Sequence, residues 1–356
     1  MKFREVASSN AALRLPELSF GAASLGNLYH AIADDDARHI LTTAARQGIS
    51  YIDTAPHYGH GLSERRVGDF MRGQDHILVS TKVGRLLKAN ASLPKGEIRE
   101  GFASDLPFDR TFDYSYDGVM RSLEDSQQRL GLASIDILYV HDIGPLTHGP
   151  RHDIYFTQLT KGGGLRALEE LRTSGVIKAF GVGVNEWQIC QQVMDHAHLD
   201  MILLAGRYSL LEHSPLDEFF PLCAARGTSV VIGGVYNSGI LATGTAHEEP
   251  IHYDYAPAPP HIIDRVRHLE AICADHQIPL PAAALAFALA HPQVVSVLVG
   301  LSSTAQVEHS MRLYHQSIPD DLWTDMKQAG LLPQNAPTPH GTTPNPILAD
   351  APQAGG

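Results

Sequence analysis

Short apolar runs alternate with longer amphipathic stretches along the chain from Leu18 onward. Each run has the length of one β-strand, and the stretches that follow carry apolar residues at helical spacing. Such alternation is typical of parallel strands joined by crossover helices. The pattern predicts eight strands, at Leu18–Ala22, Ile49–Asp53, His76–Thr81, Ile135–His141, Val176–Val184, Met201–Leu204, Ser229–Gly233 and Val294–Val299.

These strands are too short and too apolar for an exposed antiparallel sheet, whereas parallel strands are covered by helices on both faces. Closing eight strand–helix units into a (β/α)8 barrel also fits a chain of 356 residues. We therefore predict an α/β fold of the TIM-barrel type, with one domain over residues 15–330. Residues 1–14 are expected to form an N-terminal extension, and the proline-rich residues 331–356 a disordered tail.

Three connections are longer than the others, and all of them follow strand carboxyl ends. They run from Gly84 to Thr111, from Asp142 to Gly164 and from Gly234 to Pro260. Barrel enzymes build their active sites at these ends, so we expect the three segments to form pocket walls. Ordinary surface insertion is the alternative.

Four residues of complementary chemistry lie at or near three of the predicted strand ends. They are Asp53, Tyr58, Lys82 and His141. A free tyrosine has a pKa near ~10, and an adjacent ammonium group would lower it. Taken singly, each residue has an ordinary structural explanation as a helix cap, a packed ring or a solvated charge. Their convergence on one barrel mouth instead indicates general acid–base chemistry.

Composition and charge narrow the classes of function. A formal net charge of −12 opposes binding to nucleic acid or to an anionic membrane. The first ten residues lack the apolar core of a signal peptide, and no apolar run reaches the ~18 residues of a membrane span. We therefore expect a cytoplasmic protein. Its three widely spaced cysteines, Cys190, Cys223 and Cys273, are expected to be free thiols.

The twenty histidines suggest a metal site, but their arrangement does not favour one. His57 lies near His60, and His148 lies near His152. Neither pair lies on a predicted helix at i, i+4 spacing, and no cysteine or closely spaced carboxylate completes a ligand set. We expect no metal.

Several motifs together resemble the aldo-keto reductase family. They are DTAPHYG, LSERRVG, STKVG, DILYVHD, GVGVNEW and VLVGLSS, in family order and covering roughly Leu15 to Leu313. The resemblance implies a TIM barrel with NAD or NADP lying across its mouth. It also implies that Tyr58 is the general acid–base, that Lys82 and Asp53 tune it, and that His141 orients the substrate.

The sequence has no GxGxxG motif, so a Rossmann fold is not supported. The cofactor contacts are therefore those that the resemblance implies. Asn185 would bind the nicotinamide amide, Tyr236 would replace the usual ring-stacking tyrosine, and the backbone of Asn237, Ser238 and Gly239 would hold the pyrophosphate. The family's serine and glutamine are replaced by Val184 and Ala205. The adenosine end would lie at Gly300, Ser302, Ser303 and Gln306. Because no basic residue follows there until Arg312, we predict a preference for NAD.

Other phrases resemble the aldose 1-dehydrogenase branch of this family, which is related to pyridoxal 4-dehydrogenase. They include TKVGRLLK, FDYSYDGVMRSLEDSQQRLGL and YNSGIL. The branch implies oxidation of the anomeric carbon of a sugar such as L-fucose to a lactone. The alternatives are a pyridoxal 4-dehydrogenase, a general carbonyl reductase and a non-catalytic NAD(P)-binding module. Trp187, His57 and Phe108 are candidate substrate contacts, with core packing as the alternative for Trp187; the oligomeric state is left open.

Overall fold

The structure is a computed structural model that describes residues 1–7, 12–246 and 250–339. Its strands are β1 (Phe3–Glu5), β2 (Arg14–Pro16), β3 (Leu18–Gly21), β4 (Tyr51–Asp53), β5 (Leu78–Val83), β6 (Arg85–Ala89), β7 (Ile98–Arg99), β8 (Phe102–Ala103), β9 (Phe108–Phe112), β10 (Ile137–His141), β11 (Ala179–Val184), β12 (Met201–Ala205), β13 (Ser229–Gly233), β14 (His252–Tyr253), β15 (Ala256–Pro257) and β16 (Val294–Gly300).

The helices alternate with the barrel strands as the apolar pattern predicts. They are α1 (Asp34–Arg46), α2 (Leu62–Met71), α3 (Tyr116–Leu130), α4 (Pro145–His148), α5 (His152–Thr160), α6 (Gly164–Thr173), α7 (Gln188–Met194), α8 (Phe219–Arg226), α9 (Ile240–Thr243), α10 (Pro260–Asp275), α11 (Leu280–Ala290), α12 (Thr304–Tyr314) and α13 (Asp320–Gln328). Short 3-10 turns lie at Ser24–Gly26 and Gly149–Arg151.

Eight parallel strands close into one barrel, which confirms the predicted fold. Their order around it is β3, β4, β5, β10, β11, β12, β13 and β16, and β16 pairs in parallel with β3 to complete the closure. Each of the eight corresponds to a predicted strand. The third runs on to Val83 rather than stopping at Thr81, which places Lys82 inside the strand.

Apolar side chains pack in two layers, one inside the barrel and one between strands and helices. The inner layer includes Tyr51, Tyr139, Met201 and Val231. The outer layer is larger and joins the helices to the strand faces that point away from the axis. Strands buried on both faces explain why the sequence shows apolar runs rather than alternation.

Residues at both ends of the described part pack on the barrel more closely than predicted. Strands β1 and β2 form an antiparallel hairpin, and Leu15 packs in the inner layer, so the predicted boundary after residue 14 falls inside this hairpin. Leu331, Leu332 and Ala336 are buried, which corrects the expectation that disorder begins at residue 331. Their apolar side chains cover the outer layer. Residues 340–356 of the predicted tail lie outside the described part.

All three long connections contain secondary structure of their own. The segment after β5 folds into the hairpins β6–β9 and β7–β8, the segment after β10 contains α4 and α5, and the segment after β13 contains α9 and the hairpin β14–β15. In the described part of the chain, no single helix is long and apolar enough to cross a membrane; α10 and α11 pass only when joined, across a 98° bend. Cys190, Cys223 and Cys273 are buried and free.

Candidate active site

Tyr58 is placed by a close backbone contact between two loops at the barrel mouth. It follows β4 in a turn where its amide donates to the carbonyl of Ala55. Gly26 lies directly against this turn, where a Cβ atom would come within 2.5 Å of the carbonyl carbon of Tyr58. Gly59 has φ +65°, and a Cβ there would approach the carbonyl oxygen of Gly26 to 2.3 Å. Only glycine at both positions allows this packing.

Asp53 and Lys82 form a buried ion pair beside the tyrosine. Nζ of Lys82 donates to Oδ2 of Asp53 at 2.6 Å and to the carbonyl oxygen of Thr54 at 2.9 Å. Ser80, the register partner of Asp53, donates to its other oxygen at 2.7 Å. Burial alone would lower the pKa of the Lys82 amine, but the adjacent carboxylate reverses this, so that its pKa lies above its ordinary value. Lys82 is therefore protonated at neutral pH.

The aromatic rings of the mouth surround the phenol of Tyr58. Nζ of Lys82 lies 4.7 Å from the centroid of the Tyr58 ring, and the ring of His141 stands 6.0 Å away, nearly perpendicular to it. Burial raises the pKa of the Tyr58 phenol, and the Lys82 ammonium opposes this only in part. The net direction is thus upward, in contrast to the lowering expected from the ammonium alone, so Tyr58 is protonated at neutral pH.

His141 is a neutral imidazole at the end of β10. Burial, together with the charges of Arg85 and Lys82, lowers its pKa well below the ordinary value of 6.5. Its backbone carbonyl accepts a 2.7 Å hydrogen bond from the hydroxyl of Tyr114, whose ring packs against Gly84. His141 is thereby held with a single N–H that can serve a neutral or negatively charged oxygen.

Charged residues that sequence reasoning did not select line the wall beyond His141. Asp142 has φ +45° and accepts a hydrogen bond from the buried Arg85. On the neighbouring strand Arg110 pairs with Glu100 at 2.6 Å, and the Arg85 and Arg110 guanidinium groups both lie over the ring of Phe112. Asp142 directly follows the end of β10 and Arg85 lies two residues after the end of β5, and this was the signal in the sequence that could have identified them.

The structure brings one of the three predicted substrate contacts to the tetrad and leaves two apart. His57 lies 5.9 Å from the ring of His141, and burial lowers its pKa to about 3. Phe108 lies at the far end of the β6–β9 hairpin, opposite Ala89; Phe102 takes its place, 6.1 Å from Tyr58. Trp187 is buried against Phe219 and donates to Ser214, so its side chain packs in the core.

Residues around the ends of β11 and β13 fit a nicotinamide dinucleotide. The side-chain amide of Asn185 has no hydrogen-bond partner among the described residues, and the buried hydroxyl of Tyr236 has none either. A Cβ at Gly239 or Gly300 would meet open space. Free polar groups beside open backbone are what a flat ring and a diphosphate require.

The predicted pyrophosphate loop is more internally bonded than expected. The amides of Asn237 and Gly239 donate to the carbonyls of Gly234 and Tyr236, so neither is free to bind an anion. The side chain of Asn237 is also engaged, donating to Gly206 and accepting from Ser209. The hydroxyl of Ser238 accepts from the amide of Tyr255. Turn bonds thus occupy the amides of Asn237 and Gly239, and the pyrophosphate contact of this loop stays a prediction.

The predicted adenosine end lies at the start of α12. Ser303 caps the helix by accepting from the amide of Gln306 at 3.2 Å, and Gln306 in turn accepts from the amide of Ser302 at 2.7 Å. Gly300 ends β16 beside them. Among the described residues, no group of three or more histidine, cysteine, aspartate or glutamate side chains is arranged to hold a metal ion.

A barrel with this mouth matches the aldo/keto reductase family over residues 17–330. The chain belongs to this family. It is 47% identical to a pyridoxal 4-dehydrogenase from Microbacterium luteolum, over 90% of the chain and 95% of that protein. It is 40% identical to a D-threo-aldose 1-dehydrogenase from a Pseudomonas species, over 94% of the chain and 99% of that protein. This aldo/keto reductase is therefore an NAD(P)-dependent oxidoreductase.

Among solved structures, the chain is similar to an aldo-keto reductase from Bacillus halodurans in its holo form. The TM-score is 0.69 at 26% identity, covering 92% of this chain and 96% of that one. The similarity extends over the whole barrel and is consistent with one catalytic domain.

Proposed function

We propose that this aldo/keto reductase oxidises the carbon of a cyclic hemiacetal to a lactone, with Tyr58 as the general acid–base. The observation that carries the proposal is the geometry of the buried pair Lys82–Asp53 beneath the Tyr58 ring, with His141 at its edge. Tyr58 deprotonated to a phenolate would accept the hydroxyl proton of the hemiacetal. NAD or NADP, when bound, accepts the hydride.

Each of the other three groups has one task in this scheme. Lys82 stabilises the phenolate by its charge, and Asp53 keeps Lys82 protonated and fixed. His141, held neutral, donates its N–H to the reacting oxygen and positions it without releasing a second proton. Because the pKa of Tyr58 lies above its ordinary value, oxidation by this site speeds up as pH rises.

Two hemiacetals fit the proposal, and similarity favours testing both. The relative named pyridoxal 4-dehydrogenase is 47% identical to this chain over the aligned residues, and the relative named D-threo-aldose 1-dehydrogenase is 40% identical. Pyridoxal closes to an internal hemiacetal, and an aldose such as L-fucose carries one at its anomeric carbon. The same tetrad would serve either molecule, so pocket contacts would choose between them.

We propose NAD as the preferred cofactor. From Gly300 the chain carries no lysine or arginine until Arg312, which is exposed in the last turn of α12. An extra phosphate on the ribose would thus find hydroxyl groups but no cation in the first turn. Fluorescence titration should give a lower dissociation constant for NAD than for NADP; tighter binding of NADP would contradict this.

The function is tested by following reduced nicotinamide with pyridoxal, L-fucose, D-arabinose and L-galactose, and by identifying the product by mass spectrometry. We expect a lactone from at least one of them. Tyr58→Phe should abolish turnover, whereas Tyr116→Phe, which removes only an exposed hydrogen bond from α3 to Glu170, should leave it unchanged. Turnover retained in Tyr58→Phe, or reduction of simple aldehydes with no hemiacetal oxidised, would refute the proposal.

A further inference from the structure

Arg85 is a buried cation at the mouth for which the tetrad chemistry has no use. It begins the β6 strand, two residues beyond the end of barrel strand β5, and is 4% exposed. Its charge acts on both His57 and His141. Burying a guanidinium group is costly unless its donors are engaged, so its partners show what it is placed to do.

The donors of Arg85 are only partly satisfied. Nη2 donates to Asp142, while Nε is buried with no hydrogen-bond partner among the described residues. One face of the group lies over the ring of Phe112, with 5.7 Å between Cζ and the ring centroid, and this ring accepts no conventional hydrogen bond. Arg85 thus has donor capacity left over at the mouth.

Asp142 adds an acceptor at the same place. It directly follows His141, and its Oδ2 lies 3.5 Å from Nε2 of that imidazole. The left-handed backbone at Asp142, with φ +45°, is unusual for a residue with a side chain and directs the carboxylate to this side. Arg85 and Asp142 therefore offer a donor and an acceptor together, beside His141, the residue that faces the reacting oxygen.

We propose that Arg85, held by Asp142, is a specificity-determining residue that reads a hydroxyl or phenolate oxygen two or three bonds from the reacting carbon. A sugar hydroxyl donates to Asp142 and accepts from Arg85, and a phenolate accepts from Arg85. This deepens the proposed function and rests on it. In an aldose the oxygen read is the 2-hydroxyl, and in pyridoxal it is the 3-hydroxyl. A substrate without that oxygen leaves the buried donor unpaired, which is how a polar pocket rejects an analogue.

The test compares each substrate with its analogue that lacks the oxygen: L-fucose with 2-deoxy-L-fucose, and pyridoxal with 3-deoxypyridoxal. We expect kcat/KM of the wild-type enzyme to fall about 10- to 100-fold for the deoxy member of the pair it uses. Arg85→Lys keeps the charge but loses the fork, and should bring the two members within about threefold. The pair that shows the effect identifies which of the two oxygens is read.

Arg110→Lys is the matched control. It makes the same change in the β6–β9 hairpin and over the same Phe112 ring, but the Arg110 guanidinium is engaged by Glu100. The ratio of kcat/KM between the two members of a pair should therefore stay at its wild-type value. Equal kcat/KM for both members in the wild type, or an unchanged ratio in Arg85→Lys, overturns the inference while the proposed function stands. No turnover of either parent hemiacetal with NAD or NADP overturns both.

Discussion

Replacing Lys82 by methionine should shift the pH dependence of oxidation upward. The Lys82 Nζ atom is 4.7 Å from the centroid of the Tyr58 ring. Taking this as the charge separation and an effective dielectric constant of about 20, the ammonium stabilises a phenolate by about 3.5 kcal/mol, or about 2.6 pKa units. Below the Tyr58 pKa, kcat/KM for oxidation should therefore fall by about two to three orders of magnitude in Lys82→Met.

The assay is the pH profile of kcat/KM from pH 6 to 11 for wild type, Lys82→Met and Lys82→Arg. Lys82→Arg keeps a cation beside the ring and should shift the profile much less. Because Lys82→Met leaves Asp53 buried without its cation, Asp53→Asn/Lys82→Met serves as a second control. The double variant should regain thermal stability but not rate. If kcat/KM of Lys82→Met rises at the same pH as in the wild type, the role given to this lysine is refuted.

Three further predictions concern the framework of the site. Gly26→Ala should lower kcat by more than about a hundredfold, since the added methyl meets the Tyr58 backbone at 2.5 Å. Steady-state rates are measured at a temperature below the melting temperature of the variant, and a normal kcat would contradict the prediction. Arg129→Met leaves the fully buried Glu64 with only Thr81 as a side-chain partner among the described residues and should cost about 3–5 kcal/mol in urea unfolding, whereas a loss below about 1 kcal/mol would contradict the pairing. Burial lowers the pKa of His148 and of His291 to about 4, so the unfolded chain takes up these protons first as pH falls from 6.5. Stability should then be fully present above pH 6.5 and decrease towards pH 4 by up to about 1.4 kcal/mol per pH unit for each group; a slope unchanged in His148→Gln/His291→Gln would contradict this.

Apolar patterning determined most of the barrel in advance because its strands are buried on both faces. Asp53, Lys82 and His141 could be identified for the same reason, since a polar residue at the end of such a run must face the mouth. Tyr58 lies in a loop, but it follows one of these ends closely. Strand ends are thus the part of this fold that a sequence reports most directly.

Contacts made across the long connections could not be read from the sequence. Phe102 and Phe108 lie in one segment, and only the pairing of β6 with β9 decides which of them reaches Tyr58. Trp187 follows Asn185 closely, yet the position of α8 turns it into the core. The pyrophosphate donors predicted around Asn237 likewise depend on hydrogen bonds that join the loops after β12 and β13.

In the proposed reaction the hydride leaves the hemiacetal carbon directly, at a site governed by Tyr58. Its most direct test uses L-fucose deuterated at the anomeric carbon and pyridoxal deuterated at the formyl carbon, with the reduced nicotinamide analysed by mass spectrometry and NMR. We predict deuterium at carbon 4 of the nicotinamide with the wild type and no deuterated nicotinamide with Tyr58→Phe. Reduced nicotinamide without deuterium, or equal labelling by the variant, would contradict it.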